Sequence, residues 1–281
     1  MIIKLSHCLI GVLLALSTVA HSKAAEYSFG VLNQRSPTLT AQYWNPILQY
    51  VGQKSGVALR LKMGKTAQET ALMTRRGEFG FVYSNHIFTV ENQIAGYKVF
   101  ARPDEKPVQG QLVVLDDSPV HALADLDNKD VAFPNPSAFL GYFVPMDALL
   151  KARIKVKPVF SVNQEAAMGQ LKAGRVMAAG VHSEVMSDFS QRENIKYRVL
   201  WASPGYLNLP LAVHPSVPQT SARAVREAFV KMGSDPEGIK ILQASSALLK
   251  QKILPGFVAA TDKDYENVVH FYRTSLVKEQ Q

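Results

Sequence analysis

The stretch FPNPSAFLGYFVP, residues 133 to 145, has the residue types that hold a small anion without a metal. Ser137 follows Pro136 and reads as a helix start, because a serine hydroxyl accepts from the unpaired N–H groups of a first turn. Those N–H groups carry partial positive charge, so a phosphate or carboxylate set against them is stabilised. The next three residues, Ala138, Phe139 and Leu140, bring no hydroxyl. The spacing therefore predicts an anion cradle with an apolar lining. Pro145 lies four residues after Gly141, its ring meets the Gly141 carbonyl, and a kinked first turn is expected.

A second group of polar residues, Tyr83, Ser84, Asn85 and His86, follows the apolar run Phe79 to Tyr83, and His182 ends a comparable run. Side chains at the carboxyl ends of buried strands face the crevice of an α/β protein. Two histidines raise the question of a metal, but neither has a second ligand nearby at metal spacing. Hydrogen bonding to ligand or structure is expected of them, with no metal and no cofactor. Gly64-Lys65-Thr66 resembles the end of a phosphate-binding loop, but Leu59 stands where its first glycine belongs, so that motif is rejected. Ser137 has no identifiable base and no paired carboxylates follow a strand, so no catalytic set emerges and no enzyme is expected.

The elements that must position these groups alternate between strand-like and helix-like stretches from end to end, which predicts an α/β protein with mostly parallel sheets. Strands are expected at Tyr27 to Leu32, Val57 to Met63 and Phe79 to Tyr83, with a helix from Thr40 to Gly52 between the first two. Thr66 and Glu69 fit a capping box opening a helix that stops at Gly77. The second half repeats this order: strands at 131–133, 156–160 and 175–181, and a helix capped by Asn163 that ends at Gly174. Thr66 to Gly77 and Asn163 to Gly174 have equal spacing, which suggests two lobes of one architecture. Leu112 to Leu115 is expected to cross into the second lobe and Leu207 to His214 to return. Helices at 221–231 and 238–249 then pack on the first. Lobe 1 is thus discontinuous, residues 25–109 and 209–281, and lobe 2 spans 110–208. A cleft between them, hinged near residues 110 and 208, is the expected ligand site.

The first residues suggest export. Lys4, the apolar run Leu9 to Val19 and the small residues around Ala24 make a secretory signal peptide over residues 1–24, too short for a membrane span. Cys8, the one cysteine, precedes the apolar run, so neither a lipid anchor nor a disulfide is expected of the mature chain. Removing residues 1–24 lowers the formal charge from +8 to +6. The densest basic cluster, Lys151, Arg153, Lys155 and Lys157, alternates along one solvent face, so no nucleic-acid partner is expected.

Several segments together are similar to the phosphate, phosphite and phosphonate substrate-binding proteins of ABC transporters. They are FGVLNQRSP, GEFGFVYSNHIF, VAFPNPSAFLGYFVPMDALLKA, NQEAAMGQLKAGRVMAAGV, LWASPGYLNLPLAV, and DPEGIKIL with GFVAATDKDY. The resemblance implies a two-lobed type II periplasmic binding protein fold, each lobe a sheet flanked by helices, and capture of a small ligand in the periplasm for an ABC permease. Asn135, Pro136, Ser137, Gly141, Tyr142, Val144 and Pro145 keep the family frame. Ala138, Phe139 and Leu140 stand where the family carries most of its ligand-binding hydroxyls, Gln164 where it often has a histidine, and Leu209 where an acidic residue can hold a ligand amine. A phosphonate-binder-like protein with an altered, more apolar pocket is the expectation. Its ligand contacts are expected among Asn33, Thr66, Tyr83, Ser84, His86, Ser137, Ala138, Phe139, Leu140, Gln164, His182 and Tyr206. The protein is expected to be a monomer, and the alternative to transport is a sensing adaptor that reports ligand to a membrane receptor kinase or cyclase. An enzyme of the same fold is the third class.

Overall fold

The computed structural model describes residues 25–249 and 253–277; the expected signal peptide lies outside them. The first segment holds β1 (Glu26–Val31), α1 (Pro37–Ser55), β2 (Ala58–Lys62), α2 (Ala67–Arg75), β3 (Phe81–Tyr83) and β4 (Lys98–Pro103). The middle holds β5 (Gly110–Leu115), β6 (Asp130–Phe133), α3 (Val144–Lys151), β7 (Lys157–Phe160), α4 (Gln164–Lys172), β8 (Ala178–His182), α5 (Ser183–Glu193) and β9 (Tyr197–Ala202). The last segment returns with β10 (Leu211–Val213), α6 (Gln219–Lys231), α7 (Pro236–Leu248), β11 (Phe257–Ala259) and α8 (Glu266–Thr274).

Two mixed sheets result, in the orders β11-β4-β10-β3-β1-β2 and β7-β6-β8-β5-β9. In the first, β1 runs parallel to β2 and β3, while β10 inserts antiparallel between β3 and β4. In the second, β6 runs parallel to β7 and β8, and β5 is antiparallel to β8 and β9. The strands that close each sheet on its crossing side are the antiparallel ones, since the chain enters and leaves there.

Local signals account for the helix ends. Thr66 Oγ1 accepts from the Glu69 N–H, and Asn163 Oδ1 accepts from the Ala166 N–H. The Glu69 carboxylate reaches past the cap to the Lys65 N–H instead of completing the reciprocal box. Gly77 and Gly174 take left-handed φ of 67° and 66°, which suits residues without a Cβ. Helix α1 begins earlier than Thr40, because the Ser36 hydroxyl accepts from the Leu39 N–H and Pro37 fits the first turn.

The two crossings lie side by side. Val108 N–H donates to the Tyr206 carbonyl (2.7 Å) and Tyr206 N–H to the Val108 carbonyl (2.8 Å). One core sits behind α1, around Phe29, Ile47, Phe81 and Phe229. Another, around Val113, Met168, Val181 and Met186, holds α4 and α5 to the second sheet. The largest runs continuously between lobes, from Phe79 and Val82 to Leu112, Phe133 and Phe143, and includes Tyr265, Phe271 and Tyr272 of the C-terminal segment. That segment, grouped by chain order with lobe 1, places its aromatic face against lobe 2.

Candidate functional site

Between the lobes lie two adjoining chambers. The inner has a volume of about 50 Å³ and the outer about 400 Å³. Leu32, Gln34, Asn163, Gln164, His182 and Asn208 border both, so they are two parts of one cleft. Since one water requires roughly 10–15 Å³ on this measure, the inner chamber has room for a group of only a few atoms.

Its lobe 2 wall is the stretch after β6. Phe139–Phe143 forms a π-turn running directly into α3. Phe143 N–H donates to the Ala138 carbonyl (3.0 Å) and Val144 N–H to the Phe139 carbonyl, a five-residue spacing. The wider turn absorbs the Pro145 ring, which has no N–H to give to Gly141. Asn135, not Ser137, supplies the cap: its Oδ1 accepts from the Ser137 N–H (3.0 Å) and hydroxyl (2.8 Å). Backbone N–H groups of Phe139, Leu140 and Gly141 find no acceptor among the described residues. They are the unpaired donors that any helix start leaves.

Glycines seat this turn on the sheet. A Cβ at Gly110 of β5 would lie 2.7 Å from the Leu140 carbonyl oxygen, and one at Gly180 of β8 would lie 2.5 Å from that of Gly141. A Cβ at Gly141 would lie 2.6 Å from Gln164 Nε2, which places the glutamine amide directly over the turn. Gln164 Oε1 accepts from the His182 N–H (3.4 Å), so its amino group is aimed at the cradle as a further donor.

The lobe 1 wall carries Asn33, Asn85 and His86. Asn33 is held by its own bonds, donating to the Gly64 carbonyl (3.0 Å) and accepting from Thr70 Oγ1 (2.6 Å). His86 reaches across the cleft, where Nε2 lies 3.1 Å from the Ser137 carbonyl. A carbonyl only accepts, so Nε2 bears the proton and Nδ1 is an acceptor; that Nδ1 and Asn85 Oδ1 have no partner among the described residues. Burial holds the His86 pKa down to about 4, against the opposing pull of the Ser137 carbonyl. His182 is likewise held to about 4, by burial and then by the Arg35 charge. Both rings are neutral at pH 7.

The outer chamber is different in chemistry. Tyr43, Trp44 and Tyr83 form one wall, with the Trp44 and Tyr83 rings 4.8 Å apart. Glu105, Glu165, Glu184 and Asp188 border it, against Arg35 and Arg192. Arg192 is engaged by Glu165 (3.0 Å) and Glu193 (3.5 Å), and Asn208 Nδ2 donates to Glu105 (2.9 Å). Burial raises the Asp188 pKa, an effect that Arg35 and Arg192 oppose.

Residues 29–265 match the family model of the phosphonate ABC transporter periplasmic substrate-binding protein. The chain belongs to that family. Solved structures agree on the fold. The binding protein component of an ABC phosphonate transporter from Pseudomonas aeruginosa superposes with a TM-score of 0.74 at 18% identity, over 89% of this chain and 86% of that one. PhnD1 from Prochlorococcus marinus, solved with methylphosphonate, gives 0.75 at 14% identity over 89% and 98%. A Xanthomonas citri protein solved with ATP gives 0.71 at 16% over 89% and 96%. No curated protein matches the sequence.

In this phosphonate-family binding protein, eight of the sequence-expected contacts border the inner chamber: Asn33, His86, Ser137, Ala138, Phe139, Leu140, Gln164 and His182. Tyr83 borders the outer one. Three lie elsewhere. Thr66 is exposed at the cap of α2, the buried Ser84 hydroxyl accepts from the His86 N–H, and Tyr206 is buried in the crossing segment against Phe139. Phe139 borders the chamber, and its ring packs among Tyr206, Phe271 and Tyr272, at 5.1, 5.2 and 5.3 Å. Sequence reasoning missed Arg35, Trp44, Glu105, Glu184 and Asp188. Arg35 was within reach, since it follows the carboxyl end of β1 as His86 follows that of β3.

Proposed function

We propose that the cleft captures a small solute with an oxyanion head and a cationic or donor-rich body, and that lobe closure presents it to the permease of an ABC importer. The protein's family supplies the transport context: a periplasmic substrate-binding protein working with a permease. An N-terminal signal peptide cleaved on export, and a monomeric carrier, complete this reading. The observation that carries the ligand class is the pairing of unlike chambers. Three backbone N–H groups and the Gln164 amide offer donors to a small anion, while the outer wall sets Glu105 and Asp188 beside aromatic faces that attract cations. A dianion gains less here than in a hydroxyl-rich cradle, because each donor to a charged group contributes about 1.5–3 kcal/mol and Ala138, Phe139 and Leu140 supply none from their side chains.

Capture without turnover fits the same groups. The Ser137 hydroxyl donates to Asn135, and His86 contacts the Ser137 carbonyl rather than its Oγ, so Ser137 is not set up as an activated nucleophile. Calorimetric titration of matched pairs tests the ligand class: ethylphosphonate against aminoethylphosphonate, and propionate against β-alanine. The amine-bearing member of each pair is expected to bind at least about tenfold more tightly, as a 1.4 kcal/mol gain requires. Equal affinities within both pairs would refute the cationic body.

A further inference from the structure

The C-terminal helix meets both walls of the inner chamber from behind. Tyr265, just before α8, stacks on Phe88 with centroids 5.2 Å apart, and Phe88 belongs to the short helical turn that carries Asn85 and His86. Its hydroxyl donates to the Asn208 carbonyl (2.7 Å), and Asn208 borders both chambers. One and a half turns later, Phe271 and Tyr272 enclose the Phe139 ring of the π-turn, and Tyr272 also meets Phe143 at 5.7 Å. The tail is then fastened to lobe 2 by Asp147 of α3, a buried carboxylate whose Oδ1 accepts from Ser275 Oγ (3.1 Å) and the Leu276 N–H (2.8 Å). Lys151 holds its other oxygen at 2.6 Å. Asp147 borders neither chamber, so its bonds answer to the tail and not to a ligand.

The π-turn needs such backing. Its first N–H groups have no acceptor among the described residues, its cap comes from a loop asparagine, and the glycines beneath it bring its Leu140 and Gly141 carbonyls close against β5 and β8. We propose that α8 and its tail are the positioning element of the binding cradle. Asp147, Phe271 and Tyr272 hold the π-turn donors at the cleft, and Tyr265 holds the opposing wall. The two walls are thereby registered by one helix from the far end of the chain. This rests on the cleft being the ligand site, but the two statements are tested separately.

Amide hydrogen exchange of the ligand-free full chain reads the positioning directly, at Tyr142, Phe143 and Val144, whose N–H groups close the π-turn. Ser275→Ala and Asp147→Ala are expected to speed exchange at these three amides by about tenfold while leaving β8 unchanged, as a local opening would. Asp147→Asn keeps an acceptor oxygen and is expected to restore slow exchange. Leu242→Ala, in the core behind α1, serves as a destabilised control that leaves the π-turn alone. Unchanged exchange at the three amides in both alanine variants, or equal acceleration in Leu242→Ala, would overturn the proposal. Methylphosphonate titrated into the same samples tests the site: slowed exchange at residues 139–141 supports the cleft as ligand site, and protection confined elsewhere refutes that reading without touching the exchange result for α8.

Discussion

Truncating Phe139 separates a ring that contacts ligand from one that supports the cradle. The side chain is 6% exposed and has three aromatic neighbours within 5.3 Å. Loss of a buried aromatic side chain removes about 1.5–3 kcal/mol of transfer energy. Three ring contacts at the low end of about 0.5 kcal/mol each bring the total to roughly 3–4.5 kcal/mol. That falls within the usual cost of about 3–5 kcal/mol for Phe→Ala in a core. At about 2–4 °C per kcal/mol for a chain of this size, Phe139→Ala should melt on the order of 10 °C lower. Urea denaturation followed by fluorescence measures the free energy, and calorimetry the melting temperature. A loss below about 1 kcal/mol, well outside the core range, would refute the packing account and return the ring to the ligand.

Two further expectations follow from the same cleft. Ala138→Ser places a hydroxyl on the half-buried rim of the inner chamber without disturbing the aromatic cluster; it should tighten methylphosphonate binding about tenfold or more by titration calorimetry, and no gain would mean that the rim does not face the head group. Stability should fall on acidification, because His86 and His182 are held near pKa 4 when folded and return to about 6.5 when unfolded. The unfolded chain then binds protons that the native one refuses, so stability rises with pH between about 4 and 6.5, at about 1.4 kcal/mol per unit for each histidine. His214, also lowered by burial, acts in the same direction. Urea midpoints at pH 6.5 and 4.5 measure the slope, His86→Gln should reduce it, and a flat profile would contradict the burial of both rings as neutral groups.

Much of the scaffold was legible because its signals are local. The Thr66 and Asn163 caps and the left-handed Gly77 and Gly174 each follow from a few neighbouring residues, and they frame the two matching helices as expected. The Pro145 kink was legible for the same reason, although its form as a π-turn depends on the glycines of β5 and β8 that let the turn lie flat. Elements held by distant contacts were not. Nothing around Phe271 or Tyr272 announces that their partners are Phe139 and Phe143, more than a hundred residues earlier. The outer chamber was hidden likewise, since Trp44, Glu105 and Asp188 sit on separate elements and converge only after folding. The direction of the Phe139 ring was not legible, because a phenylalanine in a first turn has one sequence environment whether its ring turns toward a cleft or away from it.

The position of β10 has a bearing on the order in which the molecule is made. It lies between β3 and β4 and pairs with both, yet it is separated from them by the whole of lobe 2. A chain emerging amino end first therefore delivers four of the six strands of one sheet, then an uninterrupted lobe, and only afterwards the strand that joins β3 to β4. Lobe 2, whose five strands all lie between Gly110 and Ala202, has every pairing partner it needs before Leu211 arrives. Lobe 1 must wait with open strand edges, and long-range closure of that kind is slow and prone to association. The ligand cleft is consequently among the last features to exist.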